Sequence, residues 1–272
     1  MATPPPLPDT GGPATQENEP GGRMSFIEHL AELRKRLIYS FSAIGVGMLA
    51  GFAVADHVLV WIAAPMMAAL KEKHETAHII YTSPIGVVGP FIHVAFYLGL
   101  VLASPVVFYE LWMFVAPGLY KHEKQAVMTF VISSVGLFLV GVGFGYFWLL
   151  PYLLPLLLAF QGPFVPYISI NELYDFTLLV LMGMGLVFEL PVLIFFLSLM
   201  GVVTPKFLWK NARYAILIIT IIAAVITPTP GAVTMLIFMA PMILLYFAGL
   251  GVSWMVVRRK RRRAAMASTE AH

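Results

Sequence analysis

Between Tyr214 and Val257 the chain runs for 44 residues without a charged side chain, and it does so again from Gln125 to Asn171. Stretches of that kind belong in hydrocarbon, where backbone N–H and C=O groups find no water and have to be paired inside the segment, as a helix pairs them. With 60% apolar residues, 11% charged residues and a mean hydropathy of +0.86, no soluble domain of ordinary composition fits. The reading is an all-α, polytopic membrane protein.

The few charges then set the topology. Fifteen of seventeen lysines and arginines fall in four blocks: Arg23 with Arg34 to Arg36; Lys121 and Lys124; Lys206, Lys210 and Arg213; and Arg258 to Arg263. Only Lys71 and Lys73 lie elsewhere. Basic residues flanking spans stay on the cytoplasmic side, so two spans separate each block from the next. Six transmembrane helices follow, N-in and C-in. The net charge of +3 sits in these loops, and no basic face with interleaved aromatics suggests nucleic acid. The chain has no cysteine, which excludes disulfides and thiolate chemistry. Met1 to Gly22 holds no apolar signal core, so insertion is expected to rely on the first span.

Residues 1–23 are rich in Pro and Gly and read as a disordered tail, with Met24 a second candidate start. Residues 24–257 form the membrane domain and 258–272 a basic tail. Ser25 and Glu28 have capping-box spacing, and Phe26, Leu30, Leu33 and Leu37 make one apolar stripe. A short amphipathic interfacial helix is therefore expected from Ser25 to Leu37. Spans are expected at about Ile38–Trp61, Phe91–Trp112, Gln125 to past Trp148, Leu173–Leu199 and, after Lys210, on either side of a break at Pro228, Pro230 and Gly231. An outer loop is expected from Pro65 to Pro90, and a second one around Gly162, Pro163 and Pro166. Span five, Tyr214 to Thr227, covers only about 21 Å against a hydrocarbon core of about 30 Å. Either the bilayer thins there, or the helix begins earlier while Lys210 and Arg213 snorkel.

Three groups of residues invite a chemical reading. His74-Glu75-Thr76-Ala77-His78 matches the zinc-protease pattern H-E-x-x-H, but it lies in a polar outer loop with no third ligand at the required spacing. A solvated loop is the expectation, with no metal and no cofactor. Glu189 stands inside span four, before Pro191. A carboxylate there costs about 2.5–3.5 kcal/mol, so it needs a cavity or a polar partner, as a functional group or as a protonated, hydrogen-bonded one. Pro191 removes a backbone donor and opens the helix one turn back. Glu32 pairs with Arg36 at i,i+4 on a polar flank shared with His29, and Glu123 reads as a loop charge.

The segment Phe26-Ile27-Glu28-His29-Leu30-Ala31-Glu32-Leu33-Arg34-Lys35-Arg36-Leu37 resembles the N-terminal signature of the TatC family of the twin-arginine protein translocase. The resemblance continues through Ala64-Pro65, through the run Trp112 to Glu123, through Phe188-Glu189-Leu190-Pro191, and through Thr227-Pro228-Thr229-Pro230. It covers Met24 to Val257. It implies a cupped bundle of six helices in the bacterial inner membrane that recognises folded cargo by a signal peptide with two consecutive arginines. Signal binding is carried over to Glu32, Arg34, Phe114, Leu119, Lys121 and Glu123. A partner contact within the bilayer falls to Glu189, and structural roles to Pro65, Pro117 and Pro191. Guanidinium groups pair with carboxylates through a planar fork, which suits Glu32 and Glu123 as arginine receivers. The implied partners are the single-span subunits TatA and TatB, signal peptides, the lipid bilayer and further copies of the chain, with the proton gradient as energy source. In this chain Gly231 stands where relatives often carry an acid, which leaves that acid's role in doubt.

The resulting expectation is a translocase core subunit and signal-peptide receptor, not an enzyme; no nucleotide-binding P-loop is present. The alternative is an ion-coupled secondary transporter using Glu189, for which no repeat between the two halves is visible. An intramembrane protease would need a dyad or metal centre that these residues do not assemble.

Overall fold

The computed structural model describes residues 26–73, 78–80, 83, 85–86, 88–115, 124–159, 167–227 and 231–270. Its first element, α1, runs unbroken over Phe26–Lys73, 48 residues or about 72 Å. The interfacial helix expected at Ser25–Leu37 is therefore not a separate element, and Pro65 lies inside a helix, not at the start of a loop. Proline is tolerated there because its structural cost is met from outside. Pro65 cannot donate to the Trp61 carbonyl, and the Tyr146 hydroxyl donates to that oxygen instead, at 2.7 Å.

The same compensation recurs in α2, Val88–Val115. Pro105 orphans the Val101 carbonyl, and the Ser104 hydroxyl donates to it at 2.7 Å. Helices α1 and α2 pack backbone to backbone. A Cβ built on Gly99 would lie 2.5 Å from the Met48 nitrogen, and one on Gly47 2.5 Å from the Gly99 carbonyl oxygen. Small residues at that seam let two spans approach where hydrophobicity gives no drive to associate.

The third span joins α3, Lys124–Phe144, through one π-helical turn, Gly145–Leu149, to α4, Leu150–Ala159. The fourth joins α5, Ile170–Val187, to α6, Leu190–Met200, across a two-residue break at Phe188 and Glu189. Pro191 explains the break, since it cannot donate to the Val187 carbonyl; the Glu189 N–H bonds to Leu186 at 3.1 Å instead. Helix α6 ends at Gly201, whose φ of 79° favours glycine. After it come the short α7, Pro205–Lys210, the 15-residue α8, Ala212–Ile226, and the 39-residue α9, Ala232–Glu270. Asn211 kinks the chain between α7 and α8, so span five is short and is not extended straight back to Lys206. Helix α9 continues through the basic run and into the residues expected to form a separate tail.

Five helical stretches are long and apolar enough to cross a membrane, and α8 is a shorter sixth. In the membrane-crossing window of α5–α6, 50% of residues are buried, against 11% for α1, so α5–α6 is central and α1 peripheral. The exterior is apolar, with Phe41, Val46, Leu49 and Val60 among its exposed side chains, while Ser104, Ser134, Thr177, Ser198 and Ser253 are buried. Inside, the Ser198 hydroxyl bonds that of Ser253 at 2.7 Å and ties α6 to α9. One pairing lay outside the all-helical expectation. β1, His78–Ile80, and β2, Tyr167–Ser169, align in parallel and join the loops at the end away from the basic blocks.

Candidate functional site

At the basic end, the start of α1 meets the end of α2. Residues 28, 32 and 36 recur at i,i+4 on α1, so their side chains face the same neighbour. Arg36 donates from Nε (3.0 Å) and Nη2 (2.7 Å) to Glu32 Oε1, and from Nη1 to Glu110 Oε2 at 2.8 Å. One planar guanidinium thus bridges carboxylates on two helices. The other Glu32 oxygen, Oε2, is buried and has no partner among the described residues. A cleft of about 590 Å³ opens here, lined by Glu28, Glu32, Lys35, Arg36, Tyr109 and Glu110 among others. Three acids and two bases leave its lining net negative. Next to it, Phe114 stacks on His29 at 4.6 Å, so an aromatic shelf flanks the acids.

Of the residues singled out from the sequence, Glu32 and Phe114 thus come together. Arg34 is exposed and is not among the residues that line the cleft, whereas Arg36, on the face of Glu32, is. Pro117, Leu119, Lys121 and Glu123 lie outside the described residues, as do His74 to Ala77. Sequence reading passed over Glu110. A signal was available, because a carboxylate within span two needs a partner just as Glu189 does.

Glu189 sits in the break between α5 and α6. Its carboxylate is hydrogen-bonded to the Ser134 hydroxyl of α3, which itself accepts the Trp112 indole N–H of α2 at 2.9 Å. The chain Trp112–Ser134–Glu189 links three spans and satisfies one carboxylate oxygen. The other, Oε1, is buried with no partner among the described residues. On the lipid side of the same break, Phe188, Phe144, Trp148, Tyr152, Pro241 and Leu244 line an apolar trough of about 560 Å³.

Comparison with known proteins matches residues 28–241 to the family described as "Sec-independent protein translocase protein (TatC)". A Koribacter versatilis protein of that name is 44% identical over 248 residues, covering 89% of this chain and 90% of its own. The Bacillus subtilis protein TatCy is 35% identical, with 89% and 94% covered. Among solved structures, the crystal structure of a "Twin Arginine Translocase Receptor- TatC" superposes with a TM-score of 0.75 at 33% identity, covering 85% of this chain and all of that one.

Proposed function

Because this chain belongs to the TatC family of Sec-independent protein translocase proteins, a membrane-bound transport family, we propose that it is the signal-receiving core subunit of a twin-arginine translocase. The observation that carries this reading is the bridge from Arg36 to Glu32 and Glu110. The cleft already holds one guanidinium, which donates at 2.7–3.0 Å to carboxylates of two helices. Its net negative lining leaves room for a further cation. A signal peptide's first arginine meets Glu32 and its second Glu123, while Phe114 with Leu119 receives the apolar residue that follows. Lys121 and Arg34 lie near enough in sequence to steer the approach.

The four basic blocks support a topology with both termini in the cytoplasm of a bacterial cell, which puts the cleft on the side where cargo is made. Glu189, half-satisfied beside an apolar trough, suits a polar contact with the single spans of TatA and TatB, whose movement the proton gradient would power. Further copies of the chain complete the receptor complex. An ion-coupled transporter using Glu189 has no observation in its favour beyond the carboxylate itself.

The test is photo-crosslinking of an Arg-Arg signal peptide to membranes that contain the full chain. Glu32→Lys, and Glu123→Lys with it, should abolish the adduct while the protein still inserts, and Glu→Gln should be milder because an amide oxygen still accepts. Glu189→Ala should keep the signal adduct, which forms far along the helix axis, but weaken crosslinks to the single-span subunits and slow export. A signal adduct surviving the double lysine change removes both acids from the receptor site.

A further inference from the structure

On the basic side of the molecule, the short α7 leans on the last turns of α9 before its polybasic run. Between them lies a groove of about 550 Å³, lined by Lys206, Trp209, Lys210, Phe247, Gly251 and Trp254 among others. We propose that this groove is a binding site for one anionic phospholipid of the adjoining leaflet, with its acyl chain along α9 and its phosphate between Lys206 and Lys210.

The floor is built for a chain. Phe247, Leu250, Gly251 and Trp254 follow the i, i+3, i+4, i+7 spacing of one α9 stripe, and the Trp209 ring closes the side, edge to face with Phe247 at 6.4 Å. Gly251 leaves the slot open, since a Cβ placed there would meet nothing within 4 Å. Two exposed tryptophans, Trp209 and Trp254, mark the level of the headgroups, where amphipathic rings settle.

The rim is built for an anion. Lys206 and Lys210 stand at i,i+4 on one face of α7, and Arg258 lies over the Trp254 ring at 5.3 Å. No carboxylate pairs with any of the three among the described residues. None is available nearby in sequence either: from Leu190 to His272 the chain carries nine lysines and arginines and one acid, Glu270. Cations next to an apolar slot at a membrane surface suit a lipid phosphate, because one molecule satisfies both halves; a partner helix would have to bring its own acid to the same level.

The experiment uses the purified full chain in detergent, given equal amounts of phosphatidylglycerol and phosphatidylcholine with the same acyl chains, and counts retained lipids by native mass spectrometry. Two lysines, each favouring an anionic lipid by roughly five-fold, predict a preference of about twenty-five-fold for phosphatidylglycerol in the first lipid bound. Lys206→Gln with Lys210→Gln should remove that preference. Gly251→Leu fills the slot without altering charge and raises helix propensity, so it should expel that lipid while the thermal unfolding temperature does not fall. The proposal is overturned if the preference survives the double lysine change and disappears only with Arg261→Gln, Arg262→Gln and Arg263→Gln, which would make it general attraction to the basic run. Retention in Gly251→Leu would remove the groove from the account. Equal competition by soluble glycerol phosphate would make the site one for a free anion.

Discussion

Tyr146 and Pro65 act as one unit although 81 positions separate them. The proline deletes a donor from α1, and the tyrosine hydroxyl supplies one to the Trp61 carbonyl while its ring stacks on Trp61 at 3.7 Å. Tyr146→Phe keeps the stack and loses the bond, so it should cost about 1 kcal/mol, the net worth of one hydrogen bond to an otherwise orphaned carbonyl. With Pro65→Ala in place, residue 65 regains an N–H for that carbonyl, and the same tyrosine change should cost no more than about 0.3 kcal/mol. Unfolding in mixed micelles measures both, and equal costs in the two backgrounds would uncouple the pair. Arg36 is a second such unit. Its i,i+4 bond to Glu32 is legible in the sequence, but its reach to Glu110 is not, because 74 positions separate those two residues.

At the scale of elements, the α1–α2 seam carries the outer wall of the cleft, since Glu32 and Glu110 meet only if the two helices keep their close approach. Gly99→Leu would drive a side chain into the backbone of α1 at Met48, which cannot rotate away as a side-chain tip does. A loss of about 3 kcal/mol or more is expected, at the upper end of overpacking costs. Gly45→Leu is the control, because open space surrounds that position and stability should change little. Folded fraction across a denaturant series compares them, and equal tolerance of both would contradict the tight seam. Helix α8 shows another element-scale property. At 15 residues it spans about 22 Å, and the kink at Asn211 withholds the extra turn that a straight start at Lys206 would have supplied.

For the molecule as a whole, six spans in alternation bring the start of α1, the end of α2, α7 and the end of α9 to one side. Tags at Met1 and His272 should therefore react with impermeant reagent from the same compartment, and a tag beside Lys73 from the opposite one. An outside C-terminus with an inside N-terminus would require an odd number of spans and end the six-span architecture.

Helical class, number of spans and the break before Pro191 all follow from charge spacing and from proline chemistry, which act over one turn or one bilayer thickness, whereas the sequence left the start of the fifth span open and the break at Asn211 decided it. The sequence therefore determined that this chain crosses a membrane six times and that Glu32 and Glu189 need explaining. Beyond the i,i+4 bond from Arg36 to Glu32, which groups answer those acids was decided by tertiary structure. Glu110 and Ser134 reach Glu32 through Arg36 and Glu189 directly because glycine seams and a buried indole set the distance between helices. The continuity of α1 past Pro65 was decided in the same way: a lone proline in a sequence predicts a stop, and only a distant hydroxyl at the freed carbonyl lets the helix go on. Local periodicity carries no information about which distant donor arrives at an orphaned acceptor, and in this chain such arrivals build the cleft.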